Sequence, residues 1–119
     1  MIKGSIVAIV TPMHSNGDLD LPTLEKLLHW HTEQKTDAIV ILGTTGEAPT
    51  LTADEKKSII SLTVKSIDGK LPVIVGTGTN ATQASIENTQ AAKSLGADGC
   101  MTVVPYYNKP TQEGLLQHF

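Results

Sequence analysis

Four short runs of consecutive apolar, largely β-branched residues constrain this chain more than any other feature: Ser5 to Thr11, Ala38 to Leu42, Pro72 to Val75 and Cys100 to Val104. Apolar residues follow one another in each run instead of alternating with polar ones. That pattern predicts strands buried on both faces, as in a parallel sheet covered by helices. The stretches between the runs carry helical spacing. In the first, Leu21, Leu24, Leu27, Leu28 and His31 share one side, and Lys26, His29 and Glu33 lie elsewhere. A second helix is predicted to start at Thr52, where Glu55 completes a capping-box pattern, and to end near Gly69. A third is introduced by Asn80, with Gln83 in the reciprocal capping position, and stops at Gly96. A fourth begins at Thr111 and is still running at Phe119.

The resulting order, β-α-β-α-β-α-β-α with a strand roughly every 30 residues, fits right-handed crossover units without an internal linker. Two architectures use it: an open doubly wound sheet, and a closed (β/α)8 barrel that typically needs about 250 residues. Residues 1–119 are expected to be the first four β/α units of such a barrel, because Glu113 to Phe119 reads as an amphipathic helix without a stop signal.

Charge and composition exclude several function classes. Net charge is −3, no basic run exists, and aromatic residues are 3% of the chain, so the electrostatic and stacking features of nucleic-acid binding are missing. No apolar stretch is long enough for a membrane span or secretory core, which predicts a cytoplasmic protein. All positive residues are lysines, so no arginine fork is available for a carboxylate or phosphate. Cys100 lies in an apolar run and is assigned a packing role. Of the histidines, His29 and His31 are two apart on one helix and do not share a face as metal ligands four apart would. His14, His29, His31 and His118 are expected to have surface or packing roles, with no metal and no cofactor.

In both architectures ligands bind beyond the carboxyl ends of the strands. The loop after the second strand, Gly43-Thr44-Thr45-Gly46-Glu47, is the richest in chemistry. Its glycines permit tight turns and close approach, and its threonines offer adjacent hydroxyls and amides to a small carboxylate, with Glu47 placed to orient them. The competing reading is a plain turn in which the threonines cap backbone groups. Gly76-Thr77-Gly78 lacks the third glycine of a dinucleotide fingerprint and the lysine of a P-loop, and is explained better by backbone crowding at a barrel rim. After the fourth strand, Pro105 and Pro110 bracket Tyr106 and Tyr107. A tyrosine hydroxyl can relay a proton, but a free pKa near 10 requires help, which Thr44 can give as a donor-acceptor bridge. An aromatic pair packing a subunit interface fits at least one of the tyrosines equally well.

With these loops in view, the sequence resembles the dihydrodipicolinate synthase family of the pyruvate-dependent class I aldolase superfamily. The resemblance runs along the whole chain. Its most specific parts are Gly4 to Pro12, Gly43 to Glu47, Val75 to Gly78 and Pro105 to Pro110, and the double threonine with the double tyrosine points to the synthase. It implies a (β/α)8 barrel in which pyruvate forms a Schiff base with a barrel lysine. The derived enamine attacks L-aspartate semialdehyde, and ring closure gives 4-hydroxy-tetrahydrodipicolinate. It further implies that Thr45 binds the pyruvate carboxylate and that Thr44 and Tyr107 join a second tyrosine in a proton relay. The residue matching Tyr107 reaches into a neighbouring subunit, implying a homodimer or homotetramer. Asn80 and Tyr106 match residues of an allosteric lysine site at the subunit interface. A histidine and a glutamate of that site correspond here to Ala53 and Ala84, so inhibition by lysine is expected to be weak or absent.

The family's Schiff-base lysine, second tyrosine and substrate-binding arginine would lie beyond Phe119, the lysine about 40 residues further on at the spacing of such units. The 119 residues alone are therefore expected to be inactive. The alternatives are a sister aldolase acting on a sugar acid such as N-acetylneuraminate, and a non-catalytic binding module built on an open sheet.

Overall fold

The computed structural model describes residues 2–119. Four strands form one parallel sheet in the order β1-β2-β3-β4: β1 (Ile6–Ala8), β2 (Ala38–Ile41), β3 (Val73–Gly76) and β4 (Gly99–Met101). Each strand pairs with the next in sequence, with Ile6 opposite Ala38, Ile39 opposite Val73 and Ile74 opposite Gly99. The crossovers are α1 (Leu21–Glu33), α2 (Ala53–Ile67) and α3 (Thr82–Ser94), and α4 (Gln112–His118) follows β4. A short 3-10 turn, Ala48–Thr50, precedes α2.

The expectation of strands covered on both faces holds for β2, in which every residue is buried. Among these 119 residues the two outer strands of the sheet are less covered. Each edge strand has one neighbour, and Ile6 in β1 and Met101 in β4 remain 45% and 42% exposed. These two strands are also shorter than the apolar runs that carry them. β1 covers three of the seven residues from Ser5 to Thr11, and Thr102, Val103 and Val104 fall outside β4. Cys100, expected to pack, is exposed on β4, the outer strand of this four-stranded segment.

The core lies between the sheet and its helices. Leu24, Leu28 and His31 recur along one face of α1 and are buried, and Ile59, Ile60 and Ile67 do the same on α2. The leucines and isoleucines pack against Ile39, Ile41, Val73 and Val75 of the central strands. The histidine is accommodated because its Nδ1 lies 3.0 Å from the buried Thr36 hydroxyl.

Local signals explain most helix boundaries. The Asp20 carboxylate accepts from the Thr23 amide at 3.0 Å and starts α1. Thr52 and Glu55 form the expected capping box: the Thr52 amide donates to Glu55 Oε2 at 2.7 Å, and the Glu55 amide donates to Thr52 Oγ1. Gly96, at φ +95°, ends α3 as expected. The start of α3 corrects the sequence reading. Its N-cap is Ala81, without a side-chain cap; the Asn80 amide donates to Asn108 instead, and Gln83 donates to Glu87. Thr79 ties the turn, accepting from the Ala81 amide at 3.0 Å while its own amide donates to Ser85 Oγ.

Candidate active site

The loops after the four strands gather at one end of the sheet, where ligands of parallel α/β proteins bind. Gly43 to Glu47 forms two consecutive tight turns, the Gly46 amide donating to the Gly43 carbonyl and the Glu47 amide to that of Thr44, each at 3.1 Å. Leu42 and Glu47, which flank the turns, both take the left-handed conformation at φ +55°. For residues other than glycine this costs of order 1–3 kcal/mol each, so the surroundings must hold the loop in place.

One such contact is buried. The Thr11 hydroxyl, at the end of the first apolar run, donates to the Gly46 carbonyl at 2.7 Å. A Cβ on Gly46 would sit 3.2–3.3 Å from the Leu42 amide nitrogen, the Ile9 carbonyl and Thr11 Oγ1, so the seat admits only glycine without displacement. The chain after β3 is closer still. A Cβ on Gly76 would lie 2.0 Å from the Leu42 carbonyl oxygen, and one on Gly78 would lie 2.4 Å from the Val103 amide nitrogen. Crowding at the rim is therefore what these two glycines serve.

Within this frame Thr44 and Thr45 are exposed, and neither hydroxyl has a hydrogen-bond partner among the described residues. Capping falls to Thr50 instead, whose hydroxyl donates to the Glu47 carbonyl at 2.9 Å. The expected orienting role of the Glu47 carboxylate is not observed: Glu47 contributes its backbone, and its exposed side chain touches neither threonine among the described bonds. The turn thus leaves both threonine hydroxyls unengaged among the described residues.

Thr44 lines a cleft of about 530 Å³ together with Thr77, Val103 and Tyr106 from the strand ends and Ile60 and Ala91 from α2 and α3. Tyr106 and Thr44 are brought to one space; Thr45 and Tyr107 lie outside it. Lys56 and Lys57 of α2 reach the same cleft, but among the described residues no lysine is buried, so none has the desolvation that activates an amine nucleophile.

Tyr107 is 95% exposed and sits at φ +69°. The Asn108 amide donates to the Tyr106 carbonyl at 2.8 Å, closing a γ-turn with Tyr107 at its centre, the rarer and more strained of the two γ-turn forms. Two further bonds cross to the loop after β3: Asn80 Nδ2 donates to Asn108 Oδ1 at 3.0 Å, and Asn108 Nδ2 donates to the Asn80 carbonyl at 2.8 Å. Sequence reading named Asn80 and overlooked Asn108 and the role of Thr11. Both act over long sequence separation, and no local pattern signals either. Among the described residues no group of three or more His, Cys, Asp or Glu could hold a metal ion. No described helix is long and apolar enough to cross a membrane.

The parallel sheet, its one-ended loops and the crowded glycine rim define four β/α units of a (β/α)8 barrel with a candidate site at its carboxyl-terminal face. The sequence profile of the Dihydrodipicolinate synthetase family matches residues 1–119, and the chain belongs to that family. It is 58% identical over 119 residues to 4-hydroxy-tetrahydrodipicolinate synthase of Herminiimonas arsenicoxydans, covering all of this chain and 41% of that protein. The synthase of Coxiella burnetii strain Dugway 5J108-111 is 56% identical with the same coverage. Among solved structures, the chloride-inhibited dihydrodipicolinate synthase of Acinetobacter baumannii in complex with pyruvate superposes with a TM-score of 0.98 at 55% identity, over 99% of this chain and 40% of that one. The dihydrodipicolinate synthase of Aquifex aeolicus gives 0.93 at 50% identity, over 97% and 39%. The chain thus spans about two-fifths of the length of these relatives.

Proposed function

We propose that this segment is the carboxylate-binding and proton-relay wall of a lyase that joins pyruvate to L-aspartate semialdehyde, yielding 4-hydroxy-tetrahydrodipicolinate on the route to lysine and diaminopimelate. The observation that carries the reading is the pair of unengaged hydroxyls on Thr44 and Thr45, in a strained turn at the strand ends of a chain 58% identical to a named synthase.

In this reading an amine supplied by a barrel lysine outside these 119 residues adds to the pyruvate ketone and expels water, giving an imine. Loss of a methyl proton gives the enamine, whose carbon attacks the semialdehyde, and the new alkoxide takes up a proton. The substrate's amine then displaces the lysine and closes the ring. Thr45 holds the pyruvate carboxylate through its hydroxyl and amide. Thr44 and Tyr107 carry the protons, the threonine hydroxyl accepting from one neighbour while donating to the next. By the family resemblance Tyr107 acts in the site of a neighbouring copy, and the working unit is a homodimer or homotetramer in the cytoplasm.

Borohydride reduction in the presence of pyruvate tests the chemistry on the complete polypeptide that carries this segment. The expected result is a stable pyruvyl adduct on one lysine outside residues 1–119, with turnover on aspartate semialdehyde and none on N-acetylneuraminate. Failure to gain pyruvyl mass overturns the Schiff-base reading, and turnover on the sugar acid alone replaces the substrate.

A further inference from the structure

Between Pro105, which is buried, and Pro110, the chain holds two non-glycine residues in the left-handed region, Tyr107 at φ +69° and Lys109 at φ +48°. Such conformations persist only where neighbouring structure fixes them. The prolines restrict the ends of the loop and leave its tip free. What holds the tip is Asn108. Its backbone amide closes the γ-turn on the Tyr106 carbonyl, and its side chain makes the reciprocal pair with Asn80, 28 positions earlier. The orientation of the amide follows from chemistry: the Asn80 carbonyl can only accept, so the Asn108 nitrogen must face it, which leaves Oδ1 for the Asn80 side chain. An aspartate would lose the donor, and a serine would not reach both partners.

From this geometry we infer that Asn108 is a positioning residue: its clasp on Asn80 holds the turn that projects the Tyr107 ring out of its own subunit, ready for the site it serves. The inference rests on the proton-relay role given to Tyr107 above. Among the described residues the ring has almost no cover, so within this segment its direction is set by the backbone beneath it. Misplacing a relay group by an ångström can lower a rate on the order of 100-fold, so three hydrogen bonds around one turn are enough to matter. Asn80 contributes one side-chain bond and one backbone carbonyl, which grades the effect of removing each residue.

The test compares Tyr107→Phe, Asn108→Ala, Asn80→Ala and the Asn108→Ala/Tyr107→Phe double variant in the complete synthase, reading kcat and the pyruvate KM separately. Tyr107→Phe is expected to lower kcat on the order of 100-fold, as for loss of a proton-transfer group. Asn108→Ala should lower kcat about 10-fold or more, with pyruvate KM within about 2-fold, because Thr45 is untouched. Asn80→Ala should cost less, since its carbonyl still accepts from Asn108. The double variant should be no slower than Tyr107→Phe alone, because a residue acting through Tyr107 has nothing left to position. Multiplicative losses in the double variant, or normal kcat in Asn108→Ala beside an impaired Tyr107→Phe, overturn the clasp while leaving the relay intact. Normal kcat in Tyr107→Phe overturns the relay and the clasp's purpose with it. The clasp also has a readout apart from activity: with 3-fluorotyrosine incorporated and the signals assigned through the phenylalanine variants, the Tyr107 resonance should narrow in Asn108→Ala as the turn loosens. An unchanged linewidth refutes the clasp directly.

Discussion

The two ends of the sheet are held by different means. Where the strands begin, the fasteners are carboxylates: Asp37 accepts from the Ser5 amide at 2.7 Å, and Asp98 accepts from the Val73 amide at 2.8 Å. Both aspartates immediately precede a strand, and each also donates its own amide to the carbonyl of the residue that it caps. The device repeats at the β1/β2 and β3/β4 junctions and satisfies strand-end donors. Where the strands end, the chain closes by glycine crowding, left-handed turns at Leu42, Glu47 and Tyr107, and side-chain bonds from Thr11 and Asn108. The end where the strands begin also has left-handed residues, Lys35 at φ +59° and Asp68 at φ +49°, but its fasteners are carboxylates that are already engaged. The other end joins left-handed turns to the unengaged hydroxyls of Thr44 and Thr45, the combination expected where a scaffold presents ligand-binding groups.

That contrast is broken most severely at Gly76. Its Cβ position lies within 2.0 Å of the Leu42 carbonyl oxygen, a backbone atom that cannot rotate away, so Gly76→Ala must push β3 off the strand end that carries the threonine turn. The expected loss is about 3 kcal/mol or more in urea denaturation, at the upper end of overpacking effects. A stability loss under about 1 kcal/mol would mean that the two loops move independently.

The opposite end is predicted to be graded. Asp98→Ala strands the amide of Val73, a residue only 2% exposed, and should lower stability by about 1–3 kcal/mol, the penalty for a buried donor left unpaired. Asp37→Ala removes a bond of similar length from Ser5, which is exposed, so water replaces it at under about 1 kcal/mol. Equal losses in paired denaturation curves would show that burial does not separate the two junctions. Neither change reaches the threonine turn, so the pyruvate KM of the complete enzyme should stay where it is.

How much of this could be read from residues alone depends on sequence distance. The Thr52/Glu55 box and the Gly96 stop are local, and both form as read. Asn80 and Gln83 carry a similar local pattern and mislead, because Asn108 offers Asn80 a donor and an acceptor at once and thereby outcompetes the cap. The apolar runs identify the parallel strands, and β2, paired on both sides within the segment, is buried throughout, while Cys100 and Met101 on the outer strand β4 are exposed among these residues. The Gly43 to Glu47 turn is legible as a candidate from its composition. What seats it, the Thr11 hydroxyl 35 positions away, has no mark in the sequence around either residue.

The smallest predicted effect is a pH dependence that belongs to the anchored side of the molecule. His31 is buried on α1 against Thr36, with Trp30 edge-on at 4.8 Å between ring centroids, and burial pushes its pKa below the ordinary value of 6.5. The fold therefore favours the neutral ring. Above pH 6.5, where the ring is neutral in folded and unfolded chains alike, its contribution to stability is complete. As pH falls below that value the unfolded chain takes up the proton first, and stability is lost until the pH passes the lower folded pKa. Urea midpoints recorded at falling pH should decline more for the wild-type protein than for His31→Gln, which cannot titrate. Parallel declines would assign the acid sensitivity to other groups and leave His31 as packing alone. The pyruvate KM should follow neither curve, because His31 lies on the helix that anchors the sheet and not on the loops that present the threonines.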